Sequence, residues 1–132
     1  KSLEILSNGG TLGFFPEGGR SPDGNLLPFF PGVGYIILKT IDVPIIPIVL
    51  SGSNKIPPLD FLLGEGKVIV HFGAPFYFKL GEQEITRWRV ENTTDGIEPV
   101  VNRHTMPLIA TWLLEKHYRQ FYDEVKHTSE GR

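Results

Sequence analysis

The sequence FFPEGGRS at residues 14–21 carries the strongest structural and chemical signal in this chain. It overlaps the end of an apolar stretch, residues 11–15, that the pattern predicts to be a strand, and α/β proteins bind anionic ligands in the loops after such strands. Gly18 and Gly19 lack a Cβ and can adopt positive φ, so several backbone N–H groups can face one hollow. The stretch therefore predicts an α/β fold with an anion-binding loop at this position.

The polar side chains of this loop are suited to a phosphate group. Arg20 offers a planar set of donors for two parallel hydrogen bonds to phosphate, and Ser21 offers a hydroxyl. Glu17 would repel an anion, so we expect it to fix Arg20, to accept bonds from loop N–H groups or to accept one from a substrate hydroxyl. The alternative is a glycine-rich turn with an exposed Glu/Arg pair, and the spacing alone does not separate the two.

This part of the sequence partly matches two nucleotide-binding motifs, and each match is excluded by one residue. The G-x4-G spacing that starts at Gly13 is that of a P-loop, but Gly19 stands where that motif needs a lysine. The pair Gly32 and Gly34 begins like a dinucleotide fingerprint, yet Ile37 occupies the position of its third glycine. The start of a helix explains this pair better.

The composition limits the partners that the chain can have. Its 132 residues, 40% hydrophobic and 21% charged, are enough for one core and for one domain at most. The net charge of −2 argues against nucleic acid, and the absence of cysteine excludes disulfides and thiolate metal sites. No apolar run approaches the roughly 20 residues that span a bilayer. Because the chain starts at Lys1 with the loop motif close behind, we expect it to be part of a longer protein.

Hydrophobic periodicity predicts alternating helices and strands. Helices are expected at residues 1–7, behind Gly32 and from Pro107 onward, and further strands at residues 45–50 and 67–72. The run at residues 45–50 is typical of a strand covered on both faces, although its prolines indicate an edge position or irregular pairing. Residues 81–98 are polar and undecided. The pattern predicts an α/β fold with a partial, mostly parallel sheet flanked by helices, ending in an amphipathic helix.

A second block, VPIIPIV at residues 43–49, lies downstream of the first. Together the two blocks resemble those of the glycerolipid acyltransferases, the family of the lysophosphatidic acid (1-acylglycerol-3-phosphate) O-acyltransferases. The resemblance covers residues 1–75. It has two departures: Gly19 stands where the family often has threonine, and residues 29–32 read FFPG where the family usually has F-[KR]-x-G, so the cation is missing.

The resemblance implies a glycerol-3-phosphate acyltransferase-like fold and a transfer reaction. A fatty acyl group would move from an acyl-CoA or acyl carrier protein thioester to a hydroxyl of a lysophospholipid or glycerol phosphate acceptor. No cofactor would be bound, because the thioester is a substrate. The substrate-binding residues implied by the motif are Glu17, Gly18, Gly19, Arg20 and Ser21, with Arg20 contacting the acceptor phosphate.

Catalysis in this family depends on an H-x4-D motif, in which the histidine is the general base toward the acceptor hydroxyl. None of the four histidines here is followed by an aspartate at that spacing. We therefore expect no catalytic residue in this chain and no activity of the chain alone. Residues 1–132 are interpreted as the C-terminal portion of a single acyltransferase domain, with the family core at residues 1–80 and a variable region with the final helix at residues 81–132.

The resemblance also implies a cytoplasmic protein, peripheral at the cytoplasmic face of the membrane, whose membrane contact lies outside this chain. An unpaired sheet edge is expected to allow dimer formation. His71, at the end of an apolar strand, is expected to be structural. The alternative function is a noncatalytic phosphate-binding, lipid-binding or interaction module of a degenerate family member, which the missing cation and the missing H-x4-D motif would both fit.

Overall fold

The computed structural model describes residues 1–53, 56–57, 59, 62–64 and 66–130. Its elements in chain order are α1 (Ser2–Ser7), α2 (Pro31–Lys39), β1 (Ile48–Ser51), β2 (Ile69–Phe72), α3 (Glu82–Glu91) and α4 (Met106–Glu130). The helices α1, α2 and α4 and both strands lie where the sequence pattern predicts them. Helix α3 forms within the segment that the pattern left undecided. The described part is thus a mixture of helices with one small sheet.

Local signals explain where the first two helices begin and end. Helix α1 is followed by Asn8 and by Gly9, whose φ of 79° stops the helical path. Helix α2 begins with Pro31, whose fixed φ suits a first helical turn. The glycine pair at residues 32 and 34 therefore belongs to a helix start, as predicted, and not to a nucleotide-binding loop.

Helices α2 and α4 are in close contact at Gly34. The Gly34 N–H donates to Thr111 Oγ1 at 3.1 Å, and that hydroxyl donates to the Pro107 carbonyl at 2.7 Å. A Cβ at Gly34 would lie 2.0 Å from the Pro107 carbonyl oxygen, so a larger residue could not fit there. Around this contact lies the main core cluster, whose buried members are Phe29, Val33, Ile37, Phe78, Ala110 and Leu114.

The last helix is amphipathic, as predicted. Leu114 and Val125 are buried on one side of α4, and Tyr118 and Phe121 are half-buried between them. No helix in the described part of the chain is both long and apolar enough to cross a membrane.

Strands β1 and β2 pair in antiparallel fashion, so the prediction of a mostly parallel sheet is wrong for the described residues. Ile48 pairs with Phe72 and Ser51 with Ile69 in a two-stranded sheet. A parallel pair needs a crossover connection that carries the chain back across the sheet, whereas an antiparallel pair does not. Runs of Ile and Val predict the strands but do not specify their relative direction.

The prolines before β1 have the predicted effect on pairing. Ile45 forms an isolated antiparallel bridge with Phe76, and the Pro47 carbonyl accepts a hydrogen bond from the Gly73 N–H at 2.8 Å. The regular ladder begins only at Ile48. Because proline has no N–H to donate, it interrupts a ladder, and the expectation of irregular pairing is confirmed.

The sheet is covered on one face only, which corrects the expectation of a strand buried on both faces. Val49, opposite His71, is 3% exposed. On the other face of the pair, four apolar side chains are each at least 40% exposed: Ile48, Leu50, Val70 and Phe72. Side chains alternate between the two faces along a strand. When every residue of a strand is apolar and only one face is packed, about half of the apolar side chains therefore face solvent.

Residues 11–15 do not form a strand, which is a second correction. They have no regular secondary structure and make no ladder with the other described residues. Phe15 is 72% exposed. A strand needs a paired neighbour as well as suitable residues, and none of the described residues supplies one to this segment.

Candidate anion-binding loop

The glycine loop, residues 15–21, is built around one tight turn. The Phe15 carbonyl accepts a hydrogen bond from the Gly18 N–H at 3.0 Å, and Gly18 has a φ of 67°. The Pro16 carbonyl accepts a second bond, from the Phe30 N–H at 2.8 Å. A Cβ at Gly18 would lie 2.2 Å from Phe30 Cε2. Position 18 therefore needs glycine both for its backbone angle and for the aromatic ring beside it.

Phe30 stands where the resembled family usually carries a lysine or arginine. Its ring lies against Gly18 and its N–H holds Pro16, so this residue supports the turn through packing and a backbone bond. The cation of the family pattern is thus replaced by an apolar contact with the loop.

Glu17 holds the loop to the following segment. Its Oε2 accepts a hydrogen bond from the Leu27 N–H at 2.8 Å. This bond reaches a backbone N–H outside the glycine loop, so it matches none of the three roles expected for Glu17. Its carboxylate makes no ion pair with Arg20, and this leaves the arginine available to another partner.

Gly19 and Arg20 face solvent. A Cβ at Gly19 would meet no atom within 4 Å, so the position has room for a side chain. Arg20 is exposed and forms no ion pair with any residue that the structure describes. The N–H groups of Gly19, Arg20 and Ser21 make no hydrogen bond to a described backbone carbonyl. The Gly18 N–H, in contrast, is used in the turn. Three N–H groups and one guanidinium of this loop therefore have no such partner among the residues that the structure describes.

The Asp23 turn, residues 21–25, continues the loop and is closed by its own side chains. Asp23 Oδ1 accepts bonds from the Ser21 hydroxyl and the Asn25 N–H, both at 3.0 Å, and Asp23 Oδ2 accepts from the Asn25 amide at 2.8 Å. The bond from the Asn25 N–H, followed by those from the Asn25 amide and the Ser21 hydroxyl, lowers the pKa of Asp23 below its ordinary value. The Ser21 hydroxyl therefore donates to Asp23, whereas the Ser21 N–H has no backbone partner among the described residues.

Helix α4 contacts the Asp23 turn and the segment after it through residues that the sequence motif did not assign to the site. The Tyr122 hydroxyl donates to the Gly24 carbonyl, and Lys126 Nζ donates to Asn25 Oδ1 at 3.2 Å. Glu115 Oε2 accepts from the N–H of Phe29, just after the turn, at 3.2 Å. The sequence contained one signal for these contacts, which is the placement of tyrosine and lysine at four-residue spacing on a helix that also carries apolar residues.

Tyr118 joins α4 to β1 and to the segment before α2. Its hydroxyl donates to the Ile48 carbonyl, and its ring packs edge-on against Phe29 with centroids 5.4 Å apart. Burial, and after it the charges of Glu17 and Tyr122, raise the pKa of Tyr118 to about 12. The influence of Glu17 on this phenol places the loop carboxylate in the electrostatic surroundings of the helix.

The histidines show no catalytic arrangement among the described residues. His71 Nε2 is buried and has no hydrogen-bond partner there, and the His117 ring packs on Phe76 with centroids 3.9 Å apart. Among the residues that the structure describes, no histidine bonds to a carboxylate. No group of three metal-binding side chains occurs among them either. Two cavities of about 390 and 200 Å³ lie elsewhere along α4 and do not include the glycine loop.

Comparison with known proteins agrees with the motif. A family model described as Acyltransferase matches residues 1–51. Over 79 residues the chain is 42% identical to a chloroplastic 1-acyl-sn-glycerol-3-phosphate acyltransferase of Brassica napus and 40% identical to one of Arabidopsis thaliana. Each match covers 58% of this chain, and 23% and 22% of the respective relatives. A 1-acyl-sn-glycerol-3-phosphate acyltransferase of Limnanthes alba is 46% identical over 44 residues, which are 33% of this chain and 15% of that protein. No solved structure matches.

These matches support the assignment of the chain to the glycerolipid acyltransferase family, and the family prediction made from the two sequence blocks is confirmed. The relatives with the longest matches are named 1-acyl-sn-glycerol-3-phosphate acyltransferases, and the chain spans about a quarter of their length or less. Helix α4 lies outside the residues that the family model matches.

Proposed function

We propose that this chain is the C-terminal part of an O-acyltransferase and supplies its acceptor-phosphate loop. The full enzyme would move a fatty acyl group from an acyl-CoA or acyl carrier protein thioester to the free hydroxyl of a lysophosphatidic acid. The names of the relatives support this acceptor class. The observation that carries the proposal is the exposed Arg20, free of any described carboxylate, beside three N–H groups without backbone partners.

Each residue of the loop has a definite role in this proposal. Arg20 forms charge-assisted hydrogen bonds with the acceptor phosphate, and the N–H groups of Gly19 and Ser21 add neutral donors. Gly18 shapes the turn. Glu17 does not contact the phosphate in this proposal. Its carboxylate accepts a hydrogen bond from the Leu27 N–H and thereby fixes the loop that presents Arg20.

The proton transfer is assigned to a histidine–aspartate pair outside this chain. The resemblance implies that this histidine removes the proton of the acceptor hydroxyl while the hydroxyl oxygen attacks the thioester carbonyl. The thiolate then leaves and takes up the proton, so that an ester and a free thiol are formed. The loop takes no part in these bond changes and only holds the phosphate end of the acceptor.

We also propose a location and an assembly for the full protein. A lysophospholipid acceptor is presented at a lipid surface, so we propose a cytoplasmic protein held at the cytoplasmic face of a membrane by parts outside this chain. The acyl donor arrives as a substrate, and the reaction needs no resident cofactor. Dimer formation through a free edge of the β1–β2 pair stays a prediction.

The first experiment removes the cation of the loop. In the full-length protein we expect Arg20→Ala to raise KM for lysophosphatidic acid by about 10- to 100-fold, which corresponds to the loss of a hydrogen bond between charged groups. Kinetics with monoacylglycerol, which lacks the phosphate, should not change. Arg87→Ala is the matched control, because Arg87 is also exposed and lies on α3, away from the loop. An unchanged KM for lysophosphatidic acid would remove Arg20 from the acceptor site.

The second candidate is a noncatalytic phosphate- or lipid-binding module. It is favoured by Phe30, which stands in place of the family's cation and packs on the loop instead of offering a charge. The same full-length protein decides between the two. Binding of lysophosphatidic acid without any acyl transfer would support the module, and turnover would exclude it.

A further inference from the structure

We infer that one face of helix α4 positions the acceptor loop, and that Tyr122 and Lys126 thereby determine the affinity for a phosphorylated acceptor. The inference rests on the proposed function of that loop. It adds a role for a helix that lies outside the matched family residues.

The first step is the geometry of the helix face. Tyr118, Tyr122 and Lys126 follow one another at four-residue spacing, so they project from the same side of α4. Tyr122 bonds to the Gly24 carbonyl and Lys126 to Asn25 Oδ1, two adjacent residues of the Asp23 turn. Two bonds to neighbouring residues restrict both the position and the rotation of the turn.

The second step is a continuous chain of hydrogen bonds from the helix to the loop. Lys126 donates to the Asn25 amide oxygen, and the Asn25 amide nitrogen donates to Asp23. Asp23 in turn accepts from the Ser21 hydroxyl, and Ser21 directly follows Arg20. Each side chain in this series holds the next, so a change at the helix reaches the residue beside the proposed phosphate ligand.

The third step concerns charge. The Asp23 carboxylate lies in the turn next to the site and would repel a phosphate group. Lys126 brings a positive charge to the same turn through its bond to Asn25. It therefore offsets part of the repulsion as well as fixing the backbone, and its removal should affect phosphorylated acceptors more than uncharged ones.

The test uses single-group changes in the full-length protein. We expect Tyr122→Phe, which keeps the ring and removes the hydroxyl, and Lys126→Met each to raise KM for lysophosphatidic acid by about 3- to 10-fold, the effect of one lost hydrogen bond. We expect kcat and the KM for the acyl donor to stay within about twofold of the original values. Lys126→Arg should restore most of the acceptor affinity. The matched controls are Tyr77→Phe and Lys79→Met, two exposed residues away from the loop.

A second measurement does not depend on activity. Hydrogen exchange of the backbone amides at residues 17–25 should become faster in Tyr122→Phe and Lys126→Met, and should not change in the controls. An unchanged exchange rate, or a KM for lysophosphatidic acid within twofold of the original, would overturn the inference. So would a parallel rise of both KM values with a lower Tm, which indicates a purely structural role. Exchange tests the contact with α4 and the Arg20→Ala kinetics test the site, so the two proposals can fail separately.

Discussion

At the scale of single residues, the two adjacent glycines of the loop have different physical roles. Gly18 has a positive φ and a ring against its Cα, whereas Gly19 has neither restriction. The resemblance already indicates that position 19 can hold threonine. The structure gives the physical reason, because only Gly18 is restricted by its φ and by the distant Phe30.

This difference gives a prediction with an internal control. We expect Gly18→Ala to lower the free energy of unfolding by about 1–2 kcal/mol, since alanine is strained at this φ. Gly19→Thr should change it by less than about 0.5 kcal/mol, because the added atoms meet open space. Urea unfolding of the two variants measures both values. Equal losses in the two variants would show that the turn does not have the described geometry.

The motif predicts which residues form the candidate site, but it does not predict their hydrogen-bond partners. Glu17 had three expected roles, and none of them anticipated its bond to the Leu27 N–H. Ser21 was expected to offer its hydroxyl to a ligand, yet Asp23 accepts it. Partners of this kind depend on how the chain folds back on itself, and this information is not present in the spacing of a motif.

At the scale of elements, the packing of α2 on α4 depends on a position without a side chain. Gly34 lets the Pro107 carbonyl and the Thr111 hydroxyl approach the backbone of α2. Gly32, two residues earlier in the same helix, has nothing within 4 Å of a built Cβ. The two glycines therefore form a matched pair, one at a helix contact and one at an open surface.

We expect Gly34→Ala to lower the free energy of unfolding by about 3 kcal/mol, because the new Cβ would lie 2.0 Å from a backbone oxygen and the helices must separate. Gly32→Ala should instead raise it by about 0.5 kcal/mol, since alanine favours the helix and meets no neighbour. Thermal unfolding of both variants is the measurement. A stabilised Gly34→Ala would contradict the close approach of α2 and α4.

Element prediction succeeded where a local pattern was sufficient. The apolar spacing of α2 and α4 and the glycine after α1 indicate helices without tertiary information. Strand direction and strand partners do not follow from such patterns. Residues 11–15 have the composition of a strand but no described partner, and β1 and β2 have the composition of buried parallel strands but form an antiparallel pair with one covered face.

At the scale of the whole molecule, Tyr118 connects helix α4 to the sheet and to Phe29 of the main core cluster. Its raised pKa means that the folded state holds the phenolic proton more tightly than the unfolded state does. The stabilising effect of the neutral phenol is therefore complete below the unfolded pKa of 10.0 and is lost as the pH rises through about 12. Alkaline conditions should weaken the structure through this group.

We expect the free energy of unfolding to fall between pH 10 and pH 12 more steeply in the original protein than in Tyr118→Phe. Other tyrosines and lysines also titrate there, so the difference between the two proteins is the quantity to measure. Tyr77→Phe is the control, because Tyr77 is exposed. Identical slopes in all three proteins would show that Tyr118 ionises as it does in an unfolded chain.

The bonds from α4 to the Asp23 turn have a consequence for protein synthesis. Tyr122 lies 98 residues after Gly24, and Lys126 lies 101 residues after Asn25. A ribosome adds about 5–20 residues per second, so the turn leaves the exit tunnel seconds before the helix that fastens it. A nascent chain that stalls ahead of α4 would expose the Asp23 turn without these bonds, and the turn would be fastened only after α4 has emerged.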